Sequence, residues 1–549
     1  MLKLENMDSK EEAFQDFFEW LYDDERISHK NVELHSEIDL SLCHTYSDGN
    51  IYYPTEFKSF FETKAMNRLG RVSQLGLAVT HFPNLYHNRL EHSKGVLNKK
   101  IEELFYNYQN PVWKKYIENN NLKLHLIAEL IKMAGHDIGH PPLSHAMEEQ
   151  VFNSRGPHEE IGSRIMLENK EIQSVLLTIS PDLPNVLAQL YEKDLLNFKN
   201  HDESSYDVDR MDYLSRDSLY LGYHSNLTTQ NYESICVETD ENNIPISNSD
   251  NSIKISEYGR TYIDVYDFSS LPEIEKALLL REDRYKDVYM SKYVHSAERC
   301  ISRFLEAFLS SNDYVAGSNL KDLLTYLKNT KIEDIDINNK YIEFDEIMLY
   351  SELLDIAEKH SDSNIRLLAT MIIPNMDSFL NLLYSHLKVY SNKKDFSEDD
   401  KDFLKRIKDL IKSDSELARN LKDKDFLNKN TLMFPEDIEF PYDEELLIQR
   451  NIKIKSYKKS EPIYVKDSTG RIFELSTHPN RSYDWENKES YLHLRFSHIP
   501  YLRYKGLSEE EIEHLKSISK TNDTPKLGPD VNMSPLSRGH SMEDVFLEL

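Results

Sequence analysis

The segment Ala134-Gly135-His136-Asp137-Ile138-Gly139-His140-Pro141-Pro142-Leu143-Ser144-His145-Ala146-Met147-Glu148 constrains this chain more than any other. Just before it, Leu126, Ile127, Leu130, Ile131 and Ala134 recur at three- and four-residue spacing, which predicts an apolar helix that ends in the His136-Asp137 pair. Three histidines and two carboxylates then fall within thirteen residues. A bare His-Asp pair is weak evidence, and His201-Asp202 is one without such company. Adjacent His and Asp can hold one metal only where the backbone bends, and two more ligands must come from elsewhere. Arg89-Leu90-Glu91-His92-Ser93 opens another apolar helix and offers His92, while Asp207-Val208-Asp209-Arg210-Met211-Asp212-Tyr213 offers Asp209. The resulting set of His92, His136, Asp137 and Asp209 mixes imidazole with carboxylate. It suits one divalent ion among Mn, Mg, Fe, Co, Ni and Zn, and leaves positions open to water and phosphate.

The rest of the chain bounds what this centre can serve. The 549 residues carry a formal net charge of −29, which disfavours nucleic acid as the main ligand, so an anion must be drawn in by a local basic pocket or a metal. Cys43, Cys236 and Cys300 form no CxxC, which excludes a disulfide framework or a cysteine zinc site. No apolar stretch reaches the ~18 residues a membrane span needs, and Met1 to Phe14 alternates charge, so the expected location is cytoplasmic, with no membrane partner. The spacing predicts a mainly α fold: a helical catalytic body with short β-hairpins and a small C-terminal α+β portion. The boundaries drawn are an N-terminal helical extension over 1–48, the body over 49–319, a helical and small-sheet portion over 320–518 and a flexible tail over 519–549. Thr239 to Ser252 reads as the long tip of a hairpin between runs at Ile235 and Ile253. Period-two runs from Ile452 to Phe496 read as one small antiparallel sheet, and Met542, Val545, Phe546 and Leu549 as a docking peptide.

From about Gly49 to Ser310 the chain resembles the HD-domain deoxynucleoside triphosphate triphosphohydrolases, which include the bacterial dGTP triphosphohydrolases and the vertebrate SAM-and-HD-domain enzyme. The resemblance rests on ordered blocks: Gln74-Leu75-Gly76, His87-Asn88-Arg89-Leu90-Glu91-His92-Ser93, the His136 to Glu148 segment, Gly156-Pro157-His158-Glu159, the run from Asp207 to Asp217, and Arg281 eight residues before Tyr289. It implies that His92, His136, Asp137 and Asp209 ligate the metal, that His140 and His158 hold substrate phosphates, and that His145 with Glu148 forms a proton-transfer pair. It further implies phosphate contacts from Arg89, Arg210 and Arg281. Gln74 with Asp217 would bond the sugar 3′-hydroxyl, Leu75 and Tyr289 would exclude a 2′-hydroxyl, and Tyr213 would lie beside the sugar.

The implied activity is hydrolysis of dNTPs to deoxynucleoside and inorganic triphosphate, controlling the dNTP pool, in a setting such as phage defence. The implied partners are the dNTP, a nucleotide effector and other copies of the chain, as a tetramer or hexamer that uses the Glu62-Thr63 and Asn67-Arg68-Leu69 helix. Glu62 and Gly70 depart from the Asp and Arg with which the vertebrate enzyme holds a guanine effector. The competing readings are a nucleotide-sensing HD-domain scaffold and an HD phosphodiesterase acting on another nucleotide. Residue by residue, the bland alternative for Arg281 and Tyr289 is a solvated Arg and a core Tyr on an ordinary helix, and His87 reads as a packing or surface residue.

Overall fold

The computed structural model describes residues 40–45, 49–80, 82–108, 123–152, 157–192, 206–223, 227, 232–240, 244–256, 261–289, 292–313, 316–373, 386–390, 451–454, 462–481, 489–495, 506–511, 513–514 and five isolated positions between 397 and 406. Residues 1–39 of the predicted N-terminal helical extension and the tail segment after Ser541 lie outside the described residues. As the sequence predicts, the fold is mainly α. A β-hairpin, β1 (Leu40–Thr45) and β2 (Gly49–Pro54), leads into α1 (Thr55–Glu62) and α2 (Lys64–Arg68). The site is then carried by α3 (Arg89–Tyr108), α4 (Lys123–Ala134), α5 (His145–Val151) and α6 (Pro157–Glu168). The helices α7 (Lys170–Ile179), α8 (Leu183–Glu192) and α9 (Val208–Tyr220) follow.

Among these, α3 packs against both α4 and α9. Leu126, Ile127, Leu130, Ile131 and Ala134 are buried with Phe57, Phe60, Leu97 and Ile101, so the predicted apolar face of α4 is the seam of the core. At ~1.5–3 kcal/mol for each fully buried large apolar side chain, this seam anchors the end of α4, where His136 and Asp137 sit. The other side of α9 is different. Asp212, Arg216 and Asp217 are all at most 1% exposed, and α3 can approach them because of Gly95, where a Cβ would stand 2.1 Å from both Asp212 Oδ1 and Arg216 Nη2.

Beyond α9 come β3 (Tyr232–Val237), β4 (Thr261–Tyr266), α10 (Leu271–Arg284) and α11 (Lys292–Ser310). They lead to α12 (Ser318–Asn329), α13 (Glu346–Lys359) and α14 (Ser363–Ile372). Leu320, Leu324, Phe344, Leu349, Leu353, Ile365 and Leu368 belong to the same apolar core as Phe57 and Leu130, so packing is continuous across position 319. Arg68 shows why this segment matters. It is fully buried and donates to the carbonyls of Ile138 (2.6 Å), His140 (2.8 Å) and Phe344 (3.0 Å), while the Tyr341 hydroxyl donates to the Gly139 carbonyl at 2.5 Å.

Two strand readings are corrected. Ile235 pairs with Ile263 of β4, and among the described residues the expected hairpin is present only as single antiparallel bridges, Val237↔Ile255, Thr239↔Pro245 and Ser247↔Ile253. The C-terminal strands do not form one sheet. β7 (Tyr464–Lys466) and β8 (Ile472–Glu474) join β3 and β4, with β7 parallel to β4, whereas β5 (His386–Tyr390), β9 (Glu489–Arg495) and β6 (Asn451–Ile454) form a separate antiparallel sheet. Alternation marks a strand but does not name its partner. Among the described residues no helix is long and apolar enough to cross a membrane.

Replacing Arg68 by Ala orphans three buried carbonyls, so Arg68→Ala is expected to cost about 3 kcal/mol or more in a denaturant titration. A loss within the ±0.5 kcal/mol typical of surface changes would contradict the bracing role.

Candidate metal centre and active site

The site is built where helices begin and end. Segment 72–74 pairs with 87–89 through Gln74 N→His87 O (3.0 Å) and Arg89 N→Val72 O (3.0 Å), and Asn88 Oδ1 caps α3 by accepting from Glu91 N at 3.0 Å. His92 lies one turn in. At the end of α4, Gly135 N still bonds Ile131 O (3.0 Å) and the chain then curls through Ile138 N→Gly135 O and His140 N→Asp137 O. This is the bend that neighbouring His and Asp ligands require. Asp207 caps α9 by accepting from Arg210 N at 2.7 Å, which places Asp209 in its first turn.

Of the four predicted metal ligands, His92, His136 and Asp209 gather closely, and Asp137 stands at their edge. His92 Nε2 stands 2.9 Å from Asp209 Oδ1, 3.3 Å from His136 Nε2 and 3.7 Å from Asp137 Oδ2, and His136 Nε2 is 3.4 Å from both Asp209 Oδ1 and Asp137 Oδ1. Ligand atoms sharing an ion at ~2.0–2.2 Å lie roughly 2.8–3.6 Å from each other, so the spacing of His92, His136 and Asp209 suits a divalent cation, while the 3.7 Å from Asp137 Oδ2 to His92 falls just outside that range. The tautomers fit as well. His92 Nδ1 donates to Asp212 Oδ2 (2.7 Å) and His136 Nδ1 to Met133 O (2.8 Å), which leaves both Nε2 atoms directed at the cluster.

The surrounding charges explain how the cluster is poised. Burial disfavours a charged His92, but the hydrogen bonds and charges of Asp209 and Asp212 outweigh it and raise its pKa to about 10. His136 is likewise raised against burial by Asp137 and Asp209. Burial also works against ionised Asp137, yet Arg89, His136 and His140 hold its carboxyl well below the usual range. The carboxylates thus favour proton uptake by these two imidazoles, and a cation bound among them would compete with those protons.

A second cluster adjoins the first through His140, whose Nε2 is 3.3 Å from Asp137 Oδ1. Glu148, fully buried, accepts from His145 Nδ1 through Oε2 (2.7 Å), and from His158 Nδ1 (2.6 Å) and the His158 amide (2.9 Å) through Oε1. Burial would raise its pKa, but the hydrogen bonds from the two histidines hold it well below the carboxylate norm. His140 stacks on His158 at 3.8 Å between ring centroids and lies 5.0 Å from His145. Burial and the Arg89 charge keep His140 neutral by pushing its pKa well down. The predicted His145–Glu148 pair is therefore present, with His158 as a second partner of the same carboxylate.

The residues expected at the sugar are also brought together. Asp217 Oδ1 accepts from His87 Nε2 at 2.7 Å and Oδ2 accepts from the Tyr289 hydroxyl. Leu75 and Tyr289 pack on one apolar cluster with Leu85, Tyr220 and Val288. Gln74 Oε1 is buried and has no hydrogen-bond partner, an acceptor that a ligand donor would satisfy. Tyr213 lies 6.5 Å from Tyr289, and Arg281 is buried over Tyr285 rather than solvated, so the bland reading of Arg281 does not hold. Arg89 ion-pairs with Asp137 and bonds Ser144 Oγ (3.0 Å) and Gln74 O (3.3 Å), and Arg210 pairs with Asp207 at 3.0 Å. Two of the three expected phosphate-binding arginines, Arg89 and Arg210, are thus committed to carboxylates here. Sequence reasoning missed Asp212 and His87. The signal for Asp212 was available, because 209, 212, 213, 216, 217 and 220 recur at helical spacing as a polar stripe.

No protein-family model matches the chain. An HD domain-containing protein of Acanthamoeba polyphaga mimivirus is 31% identical over 33% of this chain and 43% of its own length. A deoxynucleoside triphosphate triphosphohydrolase SAMHD1 homolog of Dictyostelium discoideum is 30% identical over 32% of this chain and 35% of its own. A solved phosphohydrolase of Bacteroides thetaiotaomicron superposes with a TM-score of 0.56 at 18% identity, covering 83% of this chain and 99% of that one, a likeness of fold. With the His-Asp geometry, these likenesses support an HD-domain phosphohydrolase superfamily rather than one family within it, and with it a hydrolase.

Since Asp212 fixes the tautomer of His92, Asp212→Asn should weaken Mn²⁺ binding about 10- to 100-fold by calorimetric titration, and Asp209→Ala by more. Unchanged affinity in both variants would remove the assignment.

Proposed function

We propose that this chain hydrolyses deoxynucleoside triphosphates, releasing a deoxynucleoside and inorganic triphosphate, at one divalent cation held by His92, His136, Asp137 and Asp209. The observation that carries the reading is the shared orientation of four histidines. His92, His136, His145 and His158 each have Nδ1 held by a protein acceptor, so each keeps Nε2 for chemistry. When bound, the cation supplies charge that polarises a phosphate oxygen and favours deprotonation of a nearby water.

The chain's own residues do the rest. His145, 58% exposed and backed by Glu148, is placed to move a proton at its Nε2 as water bonds to the α-phosphorus and the bond to the sugar 5′-oxygen breaks. The departing 5′-oxygen needs that proton. Glu148 stabilises the charged imidazole and fixes its orientation. His140 and His158, stacked on each other beside the cluster, are assigned to phosphate oxygens, and Arg89 and Arg210 would exchange a carboxylate partner for phosphate. Asp217, fixed by His87 and Tyr289, and Gln74, with its unmatched acceptor, suit a sugar 3′-hydroxyl. A 2′-hydroxyl against Leu75 and Tyr289 would be desolvated without a partner. The control of the dNTP pool, the effector and the homo-oligomer belong to this proposal by analogy with the resembled enzymes. Arg68, however, is spent inside the fold.

Incubation of the full chain with Mn²⁺ or Mg²⁺ and each dNTP, singly and mixed, should release triphosphate, with ATP and GTP poor substrates. His145→Ala should keep its metal and lose ~10²- to 10⁴-fold in kcat. Comparable turnover of ribonucleotides would overturn the sugar reading, release of pyrophosphate with a deoxynucleoside monophosphate would overturn the triphosphate reading, and inertness toward dNTPs with hydrolysis of a cyclic dinucleotide would favour the phosphodiesterase alternative.

A further inference from the structure

One half-buried acid has no part in the chemistry just described. Glu346 opens α13, and a single oxygen, Oε1, accepts from the Ser73 amide (2.9 Å), the Leu143 amide (3.2 Å) and the Ser73 hydroxyl. Its neighbour Asp345 caps α13 by accepting from Met348 N at 3.0 Å and pairs with Arg71 at 2.6 Å. Ser73 immediately precedes Gln74 and Leu75. Leu143 immediately precedes Ser144 and His145.

Both loops need outside support. Leu143 (φ 58°) and Ser144 (φ 52°) occupy backbone conformations that side-chain-bearing residues rarely adopt, and such geometry persists only where the surroundings fix it. Ser144 Oγ donates to Ser73 O at 3.2 Å and accepts from Arg89 Nε at 3.0 Å. Gly76, at φ +50°, lets the first loop touch the second, since a Cβ there would stand 2.7 Å from the Leu143 carbonyl oxygen. Glu346 is the group that ties the amides of both loops to one point.

We propose that Glu346 is a positioning residue: it sets the loop of Gln74 and Leu75 against the loop of His145, so that residues beyond 320 fix the distance between sugar recognition and proton transfer. What is positioned rests on the dNTP reading above; the contact itself does not. Because all three bonds go to one oxygen, the carbonyl of a glutamine can replace it. Glu346→Gln should therefore behave as wild type, and Glu346→Ala should not.

The experiment compares both variants in the full chain with Mn²⁺, reading kcat and KM for dNTPs and ribonucleotides, metal content, and amide hydrogen exchange at 73–76 and 143–145. Glu346→Ala should lose roughly 10- to 100-fold in kcat, narrow the deoxy-over-ribo preference and speed exchange at those amides, with metal content unchanged. Glu346→Gln should restore all three. Unchanged exchange and kcat in Glu346→Ala, or equal damage in Glu346→Gln, would overturn the proposal. If Glu346→Ala does not fold, Ser73→Ala, which deletes one of the three bonds, must show the same loosening in smaller measure, and no change there would overturn it too. A wild-type chain that turns over no nucleotide defeats the dNTP reading alone, because the exchange measurement still decides on Glu346.

Discussion

Pairing of buried charge is the constraint on which the rest of this structure depends. The inward face of α9 carries Asp212, Arg216 and Asp217 into the contact with α3, where each unpaired charge would cost several kcal/mol. The pairing is close to complete: Asp212 bonds His92 and Arg216, and Asp217 bonds His87 and Tyr289. The same bonds that make burial tolerable fix the tautomer of His92 and the orientation of Asp217. Stability and site geometry are therefore one network, and single changes in it should move both.

A second dependence runs through the backbone. The loop from Ile138 to Ser144 bonds itself only in part, as at Ser144 N→Pro141 O (3.0 Å), and others of its carbonyls and amides are met from elsewhere: by Arg68, by Tyr341 and by Glu346. Two of these three belong to the stretch after residue 320. The functional loop is held by parts of the chain that carry no chemistry of their own.

Part of the candidate site, the His136-Asp137 pair at a helix end with His92 and Asp209 as partners, was proposed from residue types and spacing, and the rest came only from the family resemblance. An apolar helix ending in His136-Asp137 and a turn from His145 to Glu148 need no tertiary information, and the mainly α fold follows from the same periodicity. The strand partners were not legible, since Ile463 and Val465 alternate equally well whether they pair with β4 or with Asn451–Ile454. Nor was the role of Glu346, an ordinary helix-opening acid until the fold brings it to Ser73 and Leu143, 273 and 203 residues away. His87, read as a packing or surface residue, is indeed buried against Tyr220, but its bond to Asp217, 130 residues distant, was not legible. The doubly shared Glu148 was half visible, because His145 is one turn away but His158 lies on another helix.

The central claim is that one divalent cation is held by His92, His136, Asp137 and Asp209, with the His145–Glu148–His158 cluster left for proton transfer and phosphate. Anomalous diffraction from crystals of the full chain grown with Mn²⁺ tests it most directly. The account predicts a single peak within ligand distance of His92 Nε2, His136 Nε2 and the carboxylates of Asp137 and Asp209. A peak among His145, Glu148 and His158 instead, or no peak at saturating Mn²⁺, would contradict it.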